Sequence, residues 1–190
     1  MGLDVAPPAY MLTEKNTCDK SGMTFAVGGA GVFHARNKVT TLRHQVNTFE
    51  RLLADGTISR KKAEHSVALL AISGNDYYVS DDNDGMKLGI NAFIRNVTTE
   101  IVTNVQRLQE MGVAKVLVNN VPPVGCTPSQ TATRGFARCD RGGNNYAKIH
   151  NRELKRLLRA MDDVHVVDLN AAFTNIVDPN NGTHMLIVTS

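Results

Sequence analysis

Short apolar runs alternate along this chain with longer stretches whose apolar residues recur every three or four positions. The runs are 23–27 (MTFAV), 67–73 (VALLAIS), 115–121 (KVLVNNV) and 164–169 (VHVVDL), rich in Val, Ile and Leu. Three of them are nearly continuous, which predicts strands buried on both faces of a parallel sheet. Between them, Val39, Leu42, Val46, Phe49 and Leu53 fall on one helical face. Ile90, Ile94, Val97, Ile101, Val105 and Leu108 do the same, and Gly112 follows as a stop. A third helix is predicted from Tyr146 through Ile149, Leu154, Leu157 and Met161. Strand–helix–strand alternation predicts an α/β sandwich with a mostly parallel sheet, formed by residues 1–190 as a single domain. In such sheets functional residues gather at the carboxyl ends of the strands.

Composition narrows the class. Apolar residues make up 42% and charged residues 21% of 190 residues, the balance of a soluble domain with a real core. Tryptophan is absent and aromatics reach only 5%, so the core must be aliphatic. A net charge of +3 is too small to argue for nucleic acid. The last predicted helix carries Lys148, Arg152, Lys155, Arg156 and Arg159; a binding face is one reading and a solvated outer face the simpler one. No apolar run reaches the length of a membrane span, and the first ten residues (MGLDVAPPAY) have neither the basic nor the apolar region of a secretory signal.

Cysteine usage leaves two readings open. Cys126 and Cys139 lie 13 residues apart across a loop-like stretch. A bridge there would be worth roughly 3 kcal/mol by loop closure; two free thiols are the alternative. Cys18 stands apart. No Cys or His spacing suits zinc, and no metal or organic cofactor is implied. Sequons at Asn96 and Asn181 lean toward secretion.

The chemistry candidates sit where the strands end. The first run leads into Val27-Gly28-Gly29-Ala30-Gly31, whose glycines can expose backbone N–H groups. Its spacing fits neither a dinucleotide fingerprint nor a Walker loop, and on spacing alone a plain tight turn is the simpler reading. The second ends in Ser73-Gly74-Asn75-Asp76. The Asn75 amide is a neutral donor suited to an oxyanion; Asp76 is an orienting group or a cap. An Asx turn would also explain the pair. The third ends in 119–128 (NNVPPVGCTP), a stiff turn with a structural role.

Taken together these segments resemble the plant GDSL esterases/lipases of the SGNH hydrolase superfamily. TFAVGGAGVF at 24–33 is similar to that family's second block, Ser73 to Asp76 to its third, and VPPVGCTP at 121–128 to the segment that follows. The resemblance implies a flavodoxin-like three-layer α/β/α sandwich. It also implies serine-dependent hydrolysis of carboxylic esters, in which a serine attacks, a histidine shuttles the proton and an aspartate orients the histidine. Carried onto this chain, Gly29 (backbone N–H) and Asn75 (side chain) match the oxyanion donors, with Gly28 and Asp76 as binding residues beside them. Cys126 and Cys139 resemble a cysteine pair common in the plant enzymes. The implied partner is a small-molecule or lipid ester, and the implied location extracellular.

Departures limit the resemblance. No Gly-Asp-Ser is present to supply the nucleophile, and Thr24 stands where the second block often has Asn. One Asp-x-x-His occurs, Asp162 to His165, but at a strand entry rather than in the family's C-terminal position. The chain therefore reads as an internal, incomplete part of such a hydrolase, expected to be inactive alone. The family's first strand lies inside the sheet, so the chain alone is also expected to be aggregation-prone. Two further readings remain open: a non-catalytic relative binding an acyl or glycan ligand, and an unrelated flavodoxin-like domain holding a phosphate.

Overall fold

The computed structural model describes residues 6–14, 17–33, 39–72, 74–78 and 89–177. In chain order the elements are α1 (Leu42–Ala54), α2 (Arg60–Ala63), β1 (Val67–Leu70), α3 (Asn75–Tyr78), α4 (Ile90–Glu110), β2 (Lys115–Asn119), α5 (Pro128–Thr131), α6 (Arg141–Leu158), β3 (Val164–Val167) and α7 (Leu169–Val177). The strands form one parallel sheet in the order β1-β2-β3, with helices in both connections. This is the α/β architecture that the alternating pattern predicts, and it is consistent with the flavodoxin-like fold that the resemblance implies.

Register explains how the core forms. Ala68 pairs with Val116 and Leu70 with Val118; these in turn pair with Val164 and Val166. Side chains alternate along each strand, so these six share one sheet face. Leu70, Val116 and Val118 belong to the core cluster, and Ala68, Val164 and Val166 pack against it. Phe93, Val97, Ile101, Val105 and Leu108 of α4, Leu42 and Val46 of α1, and Leu154 and Leu158 of α6 pack with them. A paired Arg43 guanidinium adds a polar clasp, giving 2.9 and 2.7 Å contacts to the two oxygens of Glu100 across α1 and α4. At its far end α4 stops where the sequence predicts. Val113 N–H reaches Leu108 O, Gly112 N–H reaches Gln109 O, and Gly112 takes φ +91°, the geometry of a Schellman cap.

Three expectations need correction. Residues 23–27 form no strand. Thr24 makes a single parallel bridge to Ala9, through Thr24 N–H to Pro8 O and Tyr10 N–H to Thr24 O. Pro7 and Pro8 have no N–H, so a ladder cannot extend back along that segment. The third long helix starts at Arg141, not Tyr146, because Asp140 caps it by accepting the Gly143 N–H at 2.8 Å. Finally, the strands are not buried on both faces. On the side opposite the core, Val67 is 44% and Leu69 61% exposed, and His165 is exposed too.

Beyond β2 the chain turns sharply and is pinned by a disulfide between Cys126 and Cys139. Gly125 is obligatory there: a Cβ would stand 2.0 Å from Asp140 O and 2.8 Å from Asn144 Oδ1. The same crowding accounts for Gly143 in the first turn of α6, which lies against the Gly125 backbone. Cys18 is unbonded among the described residues, its Sγ 3.2 Å from Lys62 Nζ.

Candidate active site

The glycine loop and the segment after β1 meet at the carboxyl edge of the sheet. Ala30 N–H returns to Val27 O at 3.1 Å, closing a turn in which Gly29 takes φ +84°. A side chain is strained at that φ, so glycine is required at this turn position. Gly28 and Gly29 are both exposed, and no acceptor among the described residues takes the Gly29 N–H. Gly74 has φ +98° and immediately precedes α3.

Two side chains of α3 fasten the loop. Asn75 Nδ2 donates to Ala30 O at 2.8 Å. An amide nitrogen carries two hydrogens, so this bond fixes the Asn75 side chain against the glycine turn and leaves a second N–H to offer. Asp76 is fully buried, and its two oxygens accept the N–H groups of Val32 and Phe33, each at 2.9 Å. The structure therefore brings Gly28, Gly29, Asn75 and Asp76 into one place. Asn75 and the glycines lie at the surface, whereas the carboxyl group of Asp76 is turned inward onto backbone.

Behind this edge lies a pair that sequence reasoning missed. Tyr77 Oη is 2.6 Å from His150 Nδ1, with the rings edge to face. Burial pushes the His150 pKa from 6.5 down to about 4, so the ring is neutral near pH 7, and burial followed by the nearby Asp76 raises the Tyr77 phenol. His150 Nε2 is buried without a partner among the described residues. The signal was available: Ala147, His150, Leu154 and Leu158 share the buried face of α6 at helical spacing.

Amides lock the ends of β2 and β3 beside it. Asn120 Nδ2 donates to Asp168 Oδ1 at 2.7 Å, and Asn170 N–H donates to Asn120 Oδ1 at 2.8 Å. Asn151 grips the Val121 peptide from both sides, at 2.9 and 2.8 Å. The Ala171 N–H, then the Asn120 amide, hold the Asp168 carboxyl below the usual carboxylate range. The rigid edge on which Asn75 sits is thus built from hydrogen bonds as well as from apolar packing.

Other sequence candidates lie elsewhere. His165 is on β3, exposed, and no hydrogen bond joins it to Asp162, whose carbonyl accepts instead from Gln109 Nε2. Asn96 is exposed on α4, but the Thr98 hydroxyl of its sequon is buried and bonded back to Ile94 O. Ser73, His34, His184 and Asn181 fall outside the described residues. No described helix is long and apolar enough to cross a membrane.

Comparison with known proteins places the chain in a family. The family model described as GDSL-like lipase/acylhydrolase matches residues 1–186. The GDSL esterase/lipase At2g36325 of Arabidopsis thaliana is 35% identical over 158 residues, covering 83% of this chain and 43% of that protein. Two others from the same plant, At3g09930 and At5g03610, are 32% and 29% identical over 75% and 82% of this chain, and over 41% and 45% of their own lengths. The chain thus spans less than half the length of these curated relatives. With nearly all of its residues matched by the family model, the chain belongs to the GDSL-like lipase/acylhydrolase family.

Proposed function

We propose that this chain supplies the oxyanion-binding side of a GDSL-type ester hydrolase site. The observation that carries the proposal is the Asn75 Nδ2 bond to Ala30 O, which sets a neutral amide donor beside the exposed Gly28-Gly29 turn. When a nucleophile adds to an ester carbonyl, the carbonyl oxygen takes up negative charge. Donors already fixed in place stabilise that charge without reorganising at the moment of reaction. In this reading the Gly29 N–H and the free N–H of Asn75 are two such donors. Asp76 is a positioning residue: by holding Val32 and Phe33 it sets the course of the loop just beyond Gly29. The serine that attacks has no Gly-Asp-Ser motif in this sequence, and the one Asp-x-x-His, Asp162 to His165, stands at the entry to β3. Residues 1–190 alone are therefore proposed to be inactive. The Cys126–Cys139 disulfide supports placing the protein in an oxidising compartment, as secretion would.

The test is to sequence the transcript on both sides of this reading frame, express the whole product, and assay a short-chain nitrophenyl ester. With a Gly-Asp-Ser upstream and a terminal Asp-x-x-His downstream, Asn75→Ala should lower kcat by roughly 10²–10³ and leave KM nearly unchanged. A variant as fast as the parent removes Asn75 from the site. Hydrolysis by residues 1–190 themselves, above the buffer rate, would show that the nucleophile lies within this chain.

A further inference from the structure

The basic positions of α6 take on a shape that the sequence did not reveal. Lys148, Arg152, Lys155 and Arg159 all line one cleft of about 1020 Å³, and all four side chains are exposed. Their spacing of four, three and four residues is that of a single helical face. At 1.5 Å per residue the stripe runs about 16 Å along the cleft wall. None of the four makes an ion pair within 4.0 Å with a described residue; the nearby pair, Arg156 to Glu153, is separate from the stripe. Among the described residues, Asp168 feels Lys155 and Glu153 feels Arg152. Both are engaged elsewhere, Asp168 with Asn120 and Ala171, Glu153 with Arg156. The cleft holds a row of cations whose charge the described residues leave largely unanswered.

We propose that this cleft binds a linear acidic polysaccharide, its successive carboxylates meeting the four cations. The inference does not rest on the esterase reading, because the stripe lies on α6 and its C-cap, in a cleft shared with β3, rather than at Asn75. A row of charges at regular intervals fits a polymer with one carboxylate per unit better than it fits a compact anion. The Arg guanidinium forks match carboxylates in pairs of hydrogen bonds. Thr174 and Asn170 line the same cleft and can meet sugar hydroxyls. Among the described residues the lining includes no Phe, Tyr or Trp, so none of these supplies the stacking platform that holds single-stranded nucleic acid. A concave wall is likewise a poor match to the flat headgroup plane of a bilayer.

The experiment measures binding of residues 1–190 to polygalacturonate by affinity electrophoresis at nanomolar chain. The variant Lys148→Gln/Arg152→Gln/Lys155→Gln/Arg159→Gln is compared with a control that removes exposed cations elsewhere, Arg60→Gln/Lys61→Gln. Circular dichroism checks that all three proteins keep the same helix content. The proposal expects saturable binding that weakens with salt, falls about thirtyfold in the stripe variant, and is unchanged in the control. Equal loss in both variants, or none in either, overturns it. So does tighter binding to polyglutamate or to phosphatidylserine vesicles than to polygalacturonate, which would assign the cleft to an acidic peptide or a membrane.

Discussion

Asp76 reaches across 44 and 43 residues of sequence to accept the N–H groups of Val32 and Phe33. Its identity follows from the need to satisfy two buried donors with one group. Replacing it with Asn keeps the size but turns one of the two acceptor atoms into a donor. One N–H is then left buried and facing another, which should cost about 1–3 kcal/mol. Urea unfolding of Asp76→Asn should show a lower midpoint with an unchanged slope; a midpoint equal to the parent's would show that the clamp contributes nothing. In sequence, the motif around Asn75 was legible because its residue types and order resemble a family pattern. The inward turn of Asp76 was not, because its partners are backbone groups that no residue type encodes. Gly125 shows the same limit: it reads as a turn glycine, while its actual constraint is Asp140 O, 2.0 Å from where a Cβ would sit.

At the scale of elements, Tyr77 and His150 join α3 to α6 by one short hydrogen bond, and this join responds to pH. The His150 pKa is depressed in the folded protein, from 6.5 to about 4, so the unfolded chain binds more protons between those values. Stability therefore rises with pH across that window; it is fully present above about 6.5, and is lost as pH falls toward 4. The loss is on the order of 3 kcal/mol. His150→Gln, measured by urea unfolding at a series of pH values from 4 to 7, should be less stable at neutral pH and show a flatter slope through that range. A variant as steep as the parent would assign the slope to other groups. The helices α1 and α4 were legible in sequence because their burial is one-sided and periodic. Residues 23–27 misled because a strand depends on its neighbour, and the neighbour here contains two prolines. The start of α6 misled for the opposite reason: Gly142, Gly143, Asn144 and Asn145 are poor helix formers, and tertiary contacts at Gly125 override their propensity.

For the molecule as a whole, the decisive feature is a sheet covered on one side. Apolar runs in β1 and β2 carry the signature of strands buried on both faces, yet among the described residues only the face of Ala68, Leu70, Val116 and Val118 is packed. The opposite face leaves Val67 and Leu69 open, at 44% and 61% exposure, on a strand that among the described residues pairs with β2 alone. An exposed apolar edge strand is a template for another chain. Residues 1–190 should therefore associate as their concentration rises, seen as increasing apparent mass in size-exclusion chromatography with light scattering. Leu69→Lys is the sharper test, since it places a charge on the open face without removing a packed side chain. It should shift the chain toward monomer while leaving its melting temperature within a few degrees of the parent's. A parent chain that stays monomeric at high micromolar concentration and melts cooperatively would mean that the second face is already covered. In that case the continuous apolar runs of β1 and β2 would be satisfied within these 190 residues.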